Sequence, residues 1–303
     1  MIRSFLLKFA TKFISSIQYS VGLSHITIMR KNYKKIRNIN DLEYKVFSQN
    51  GEDGIIDYFL YSLKIEKPNF VEIGTQDYSE SNTRFLFERT ACRGLIIDCL
   101  DNLEAKVSKN IKLWKGDLTI VESFINSKNI LDILNNNNFN QDIDFFSIDI
   151  DGVDYWVLEK LPNSFSKIVV LEYNAIFGSE LEVTVPNIEK FNRTDYHYSN
   201  LCFGASLKAL INLMMKKNFV FVGTNLTLCN AFFVSKEYIN QININIPDIN
   251  DLSNYTNSFI RESRSIKGFK NYLSGKNRIK EIENCEVINI KKNNELIKLK
   301  ELF

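Results

Sequence analysis

The residues able to do chemistry in this sequence stand at the ends of short apolar runs. Glu72 and Gly74 close Phe70-Val71-Glu72-Ile73-Gly74, and Asp98 closes Leu95-Ile96-Ile97-Asp98. Asp117 follows Gly116, Asp149 and Asp151 lie in Ser147-Ile148-Asp149-Ile150-Asp151-Gly152, and Glu172 and Asn174 end Leu171-Glu172-Tyr173-Asn174. A carboxylate at the tip of a buried strand is costly unless it is paired or bound, so this pattern marks a ligand site. Glu72 is placed to hold a cationic amine. Gly74 either lets the backbone pass close to a ligand or serves a tight turn. Asp98 has the position of an acid that grips the two ribose hydroxyls of an adenosine; its other reading, a helix cap, suits Asp101 better. Asp117 can meet an adenine amino group or cap the next helix. Asp149, Glu172 and Asn174 together offer oxygens to a hard divalent cation such as Mg²⁺, or hydrogen bonds to sugar hydroxyls without a metal. His197, in Tyr196-His197-Tyr198-Ser199, is the natural group to take a proton from a hydroxyl. Its plainer reading is a surface histidine flanked by tyrosines.

These residues need a scaffold that brings strand ends together. Apolar runs at Asn69–Ile73, Gly94–Asp98, Ile111–Trp114, Phe145–Ile150 and Ile168–Tyr173 read as buried parallel strands. Helical patterns at Asn82–Arg89, Asn102–Ser108, Ile120–Leu134 and Tyr155–Leu161 alternate with them. Alternation at this spacing predicts a doubly wound α/β sheet. A polar segment, Phe177–Phe203, then precedes a helix over Ala205–Lys217. The strands Phe219–Val222 and Asn230–Val234 are joined by too few residues for a helical crossover, so they must pair antiparallel. Seven strands, five parallel plus a terminal antiparallel hairpin, are therefore expected. That order differs from a dinucleotide-binding domain, which ends in another parallel unit. A Gly-x-Gly-x-x-Gly loop is also missing, which leaves a NAD(P)-dependent oxidoreductase as the weaker alternative, beside a non-catalytic binding domain on the same type of sheet.

Charge is unevenly placed. The 303 residues carry 38 basic and 36 acidic side chains, but residues 1–40 hold eight of the bases and no acid. The remainder, with 30 basic against 36 acidic residues, repels phosphates, and no nucleic-acid partner is expected. The first segment interleaves Phe5, Leu6, Leu7, Phe9, Phe13 and Ile14 with Lys8 and Lys12. The lysines break any signal-peptide core, and no run reaches the length of a membrane span. This basic helical extension, residues 1–43, is expected to touch an anionic membrane or to self-associate, or else to pack on its own domain. Five cysteines without Cys-x-x-Cys spacing indicate reduced thiols in a reducing compartment, hence a cytoplasmic protein, at most held at the inner face of the membrane. Residues 44–236 form the main domain, and 237–303 a C-terminal extension without assigned chemistry.

Several motifs together resemble a known family. Phe47-Ser48-Gln49-Asn50-Gly51-Glu52-Asp53-Gly54-Ile55, the Glu72–Gly74 run with Asn82-Thr83, and Ser147–Gly152 are similar to class I S-adenosylmethionine-dependent methyltransferases of the FkbM type. Leu171–Asn174, Gly204-Ala205-Ser206-Leu207 and Asn230–Val234 fit the same group. The resemblance implies a class I methyltransferase fold and S-adenosylmethionine as cofactor. It also implies a sugar or nucleotide-sugar acceptor methylated on a hydroxyl, in the building of a bacterial capsule or lipooligosaccharide. It further implies that Glu72, Gly74 and Asp98 contact the donor, with Asp117 near the adenine and Gln49 and Asp53 lining the donor or acceptor pocket. Asp149 and Glu172 would orient the acceptor, with Mg²⁺ as a candidate aid, and His197 would act as base. The glycine that this class usually places soon after Gly74 is absent from Thr75-Gln76-Asp77-Tyr78-Ser79, so the donor loop must take another shape.

Overall fold

A computed structural model describes residues 2–256, 258 and 262–303, with side chains from residue 13 onward. The side chains of Phe5, Leu6, Leu7, Phe9, Lys8 and Lys12 therefore lie outside the described residues. The chain forms two compact units, residues 1–123 with 240–245, and residues 124–239 with 246–303. The basic extension belongs with the first unit, and nearly all of the C-terminal extension with the second.

In the first unit, α1 (Ile2–Arg30) and α2 (Glu52–Ser62) precede β1 (Phe70–Ile73), α3 (Arg84–Thr90), β2 (Arg93–Asp98), α4 (Leu103–Asn110) and β3 (Asp117–Glu122). The three strands pair in parallel, with Phe70 opposite Gly94 and Arg93 opposite Asp117. Strands β1 and β2 are almost wholly buried, as continuous apolar runs require. Helix α1 lays Ile26, Leu23 and Tyr19 against Val46, Phe47 and Phe85, and Arg30 joins Arg89 on the buried Asp57 carboxylate, at 2.6 and 2.8 Å.

The second unit runs α5 (Ile130–Asn136), β4 (Phe145–Ile148), α6 (Asp154–Lys160), β5 (Ile168–Glu172), β6 (Val183–Thr184), α7 (Arg193–Tyr196), α8 (Leu207–Lys216), β7 (Phe219–Thr224), β8 (Asn230–Ser235), α9 (Lys276–Glu281), β9 (Glu286–Asn289) and β10 (Glu295–Lys298). Strands β4 and β5 are parallel, while β8 is antiparallel to both β5 and β7. The whole sheet has seven strands in the order β3-β2-β1-β4-β5-β8-β7, the expected α/β architecture with its terminal antiparallel hairpin. A small second sheet, β10-β9-β6, is antiparallel and ties the C-terminal segment to the insertion after β5. Among the described residues no helix is long and apolar enough to cross a membrane.

One strand differs from expectation. Ile111–Trp114 is no strand: Ile111 closes α4 by bonding to Val107, and Leu113–Lys115 makes a single 3-10 turn with Trp114 turned to solvent. The third strand is Asp117–Glu122, where Thr119-Ile120-Val121 supplies three β-branched residues in a row, and the helix expected from Ile120 begins only at Ile130. Asp117 thus opens the strand instead of ending it.

The Ser48–Gly54 motif is a tight entry to α2. A Cβ at Gly54 would lie 2.1 Å from the Leu42 carbonyl oxygen and 2.9 Å from the Tyr44 nitrogen, both backbone atoms. Gly54→Ala is therefore expected to cost about 2–3 kcal/mol, read as a lowered urea midpoint with unchanged slope. An unchanged midpoint would contradict this packing.

Candidate functional site

At the carboxyl ends of β1 and β2 in the first unit, backbone N–H groups meet carboxylates. Glu72 accepts the Ser81 hydroxyl at 2.6 Å, the Asn82 and Thr83 amides at 2.8 and 3.0 Å, and the Thr83 hydroxyl. Burial raises its pKa against the pull of these donors. Buried, and tied through both oxygens to the entry of α3, Glu72 fixes structure; it does not hold out a carboxylate to a cationic amine as expected. Asp53 is likewise absorbed. One of its oxygens takes the Val46, Phe47 and Ser48 amides at 2.7–2.8 Å and the Ser48 hydroxyl, while burial, outweighing them, pushes the pKa up to about 6. Instead of lining a pocket with its charge, it folds the 46–48 turn. Gln49, between these residues, is exposed.

Asp98 remains closest to its expected place. It ends β2, half-buried, and accepts the Gln76 amide at 2.7 Å and the Leu100 amide at 2.9 Å, one on each oxygen. Each carboxylate oxygen has a second lone pair, so two acceptor sites are left for ligand hydroxyls. The missing glycine after Gly74 is also explained. Gly74 has φ +87°, and Gln76 and Tyr78 take φ +49° and +62° themselves, so side-chain-bearing residues make the left-handed turns. The strained loop is held by the Tyr78 hydroxyl on Thr83 at 2.7 Å and by Asn110 on the Asp77 carbonyl at 2.8 Å. Inside it, the Thr75 hydroxyl is buried with no hydrogen-bond partner. Asp117 is exposed at the opposite, amino end of β3, 3.6 Å from Arg93, and cannot join the strand-end group.

The second unit gathers a different cluster. Asp149 follows β4, Glu172 ends β5, and Asp151 sits between β4 and α6 at φ +55°. One carboxylate oxygen from each lies within 4.8 Å of the others. Burial first, then the charges of Asp151 and Asp154, drives the Asp149 pKa upward; burial and Asp149 do the same to Glu172. Two acids so close resist ionising together, which favours one proton held between them. Asp154 is set apart: its oxygens accept the Ile150 and Gly152 amides at 3.0 Å and close the turn into α6.

The positive charge for this cluster comes from the insertion after β5. Arg193 pairs with Asp151, lays its guanidinium carbon 4.0 Å over the Phe203 ring, and donates twice to the Asn200 carbonyl at 3.1 and 2.7 Å. Asn192 caps α7 by accepting the Thr194 and Asp195 amides. Gly152 makes room for the insertion, since a Cβ there would meet Phe191 at 2.5 Å. His197 closes this loop. Its Nδ1 lies 2.7 Å from the Ser199 hydroxyl and its ring rests against Tyr198, while burial lowers its pKa. No described hydrogen bond links its ring to the three acids.

Asn174 leaves the expected metal set. Its amide nitrogen donates to the Leu201 and Phe203 carbonyls at 2.9 and 3.0 Å and its oxygen accepts the Ile176 amide. Asp151 takes its place in the acid group. Sequence reasoning assigned Arg193 and Thr75 no role. Charge balance could have found Arg193, because Lys190 and Arg193 are the only lysine or arginine residues in Phe177–Phe203; nothing in the sequence marks Thr75.

No protein-family model matches the sequence, and no curated protein does. Similar solved structures include the N-terminal domain of EvdMO1, crystallised with SAH and D-fucose, at 9% identity over 69% of this chain and 95% of that one, TM-score 0.41. An S-adenosylmethionine-dependent methyltransferase from Clostridium acetobutylicum is 7% identical over 61% of this chain and 90% of its own, TM-score 0.39. The pyocyanin biosynthetic protein PhzM is 12% identical over 59% of this chain, which spans only 55% of PhzM, TM-score 0.33. At such identities the likeness is one of fold alone.

Glu72→Ala would take the acceptor from the Asn82 amide and from the Ser81 and Thr83 hydroxyls, and leave the Thr83 amide only the Ser81 hydroxyl, at 3.2 Å. A loss of about 2–4 kcal/mol is expected, measured by thermal unfolding; a cost under about 1 kcal/mol would mean that Glu72 does not hold α3.

Proposed function

We propose that this chain transfers a methyl group from S-adenosylmethionine to a hydroxyl of a sugar or nucleotide sugar. The observation that carries the reading is the strand-end loop of the first unit. Asp98 keeps acceptor sites for ribose hydroxyls, Gly74 brings backbone close without a Cβ, and the unpartnered Thr75 hydroxyl awaits a polar group. These three residues would hold the donor. The sheet order, with β8 reversed between β5 and β7, and the sequence resemblance to FkbM-type methyltransferases support the same class. When bound, the donor supplies a methyl group already activated by its positively charged sulfur.

What remains for the protein is to orient a hydroxyl and take its proton. Asp149 and Glu172 are suited to both tasks. Their shared proton gives one group that donates to an acceptor oxygen and one that accepts from it, and their raised pKa values bring the pair nearer to neutrality than ordinary carboxylates. Arg193 holds Asp151 and lowers the charge cost of ionising the pair. His197, with its ring on Ser199, positions the loop that carries Arg193. In this reading the proton acceptor is the carboxylate pair, not the imidazole, and the Arg193 guanidinium on Asp151 supplies the positive charge that Mg²⁺ would otherwise bring.

Titration calorimetry should show binding of S-adenosylhomocysteine and none of NAD, with Asp98→Asn weakening the former at least tenfold. Absence of binding by the intact chain would overturn the methyltransferase reading. With a sugar acceptor in hand, Asp149→Asn should lower kcat about 10²–10⁴-fold. His197→Gln should cost less than tenfold, and EDTA should change nothing.

The pH profile separates the two bases. An acid with a raised pKa becomes a base only as pH climbs past that value, so kcat/KM should still be rising above the ordinary imidazole value of 6.5. A profile already flat there would return the role to His197, whose pKa lies lower. Arg193→Gln removes the charge that favours ionisation and should move the rise to higher pH.

A further inference from the structure

From residue 13 onward helix α1 has two apolar faces, and one of them is exposed. Tyr19, Leu23 and Ile26 pack on the first unit, and Gly22 brings the helix so close that a Cβ would lie 2.7 Å from Val46. On the opposite side Phe13, Ile14, Ile17, Val21 and Ile28 are between 48% and 60% exposed. At 3.6 residues per turn these five fall on one stripe about 100° wide. From Phe13 to Met29 no side chain is charged.

The same unit sets a cationic fringe beside this stripe. Ile14 and Tyr19 line a groove with Lys45, Lys109, Lys112 and Lys115; Glu80 and Glu88 line it as well and pair with Lys45 and Lys115, at 3.1 and 3.3 Å, while Lys109 and Lys112 are exposed. Lys115 Nζ stands 5.4 Å from the Tyr19 ring centre, and Lys112 Nζ 5.8 Å from that of Trp114. Trp114 itself is 80% exposed. At the far end of the helix Lys31, Lys34, Lys35 and Arg37 are exposed as well. A solvent-facing indole flanked in sequence by Lys112 and Lys115, which share a groove with Ile14 of the aliphatic stripe, has the composition of a membrane-interface contact. The ring lies at headgroup depth, the ammonium groups meet phosphates, and the aliphatic side chains enter the acyl boundary.

We infer that this face of the first unit docks on an anionic lipid bilayer, with α1 lying along the surface. Charge selects that occupant over a second copy of the chain. On this face Glu80 and Glu88 are matched by Lys45 and Lys115, and Lys31, Lys34, Lys35, Arg37, Lys109 and Lys112 are exposed beyond them, so two such faces carry net positive charge and would repel, whereas anionic headgroups neutralise them. The contact goes beyond the methyl-transfer reading and stands without it, since none of its residues belongs to the strand-end groups.

The test is co-sedimentation of the full chain with phosphatidylcholine vesicles carrying about one-third phosphatidylglycerol or none. Binding to the anionic vesicles alone, weakened by salt, is expected. It should come with a blue shift of Trp114 emission that Trp114→Phe removes, because the other tryptophan, Trp156, is already buried. Lys109→Gln with Lys112→Gln should weaken binding about twentyfold, and Ile17→Glu with Val21→Glu should abolish it. These side chains are exposed, so unchanged melting curves will exclude unfolding. Failure to bind anionic vesicles, or equal binding to neutral ones, would overturn the inference. So would a dimer in sedimentation that Ile17→Glu dissociates while vesicles are ignored, which would assign the face to a second copy.

Discussion

A carboxylate taken out of water must be given donors or a positive charge, and that requirement organises both units. Asp53, Glu72 and Asp154 meet it with backbone amides of neighbouring turns, and each thereby fixes a loop: 46–48, the entry to α3, and the entry to α6. Asp57 meets it with Arg30, Arg89 and the Tyr33 hydroxyl, and so binds α1 to the body of the first unit. In each case the acid's energy is spent on shape. Asp98 takes one amide on each oxygen, as Asp154 does, but stands half-exposed at a strand end, and the Asp149–Asp151–Glu172 group sets its acids against one another and against Arg193, so at these two places carboxylates stay open to chemistry.

The acid group of the second unit shows the consequence. The cluster takes a guanidinium, and burial with mutual charge raises the proton affinity of Asp149 and Glu172. Arg193 reaches Asp151 only because Asn192 caps its short helix, Asn200 anchors its other nitrogens and Phe203 supports its plane. The C-terminal segment fastens the same insertion, through β9 on β6 and through the Tyr196 and Tyr198 hydroxyls on Glu286 and Glu281, both at 2.6 Å. A tail with no chemistry of its own thus positions the charge that tunes the strand-end acids.

The sheet was largely legible in the sequence, for a local reason. Buried parallel strands are continuous apolar runs, and a short connection between Phe219–Thr224 and Asn230–Ser235 permits only antiparallel pairing. The exception, β3, is an edge strand with partial burial, whose mixed composition resembles a helix and whose upstream neighbour Ile111–Trp114 is the more apolar of the two. Apolar content misled there because Ile111 is buried as the end of α4, not as part of a strand.

The sequence by itself determined the element order, the terminal hairpin and the positions of acids at strand ends, since these follow from local pattern and chain length. Tertiary structure alone decided which acids are free. Glu72 and Asn174 have residue types suited to binding but are taken up by amides or carbonyls up to 29 residues away, and Asp53 spends one oxygen on the 46–48 turn while its other stays buried without a partner. Asp151, Arg193 and Thr75 acquire their roles from partners, or from the want of one, that no spacing rule encodes. A side chain's type sets what it can bind; whether it still can is settled by the donors that folding brings within 3 Å of it.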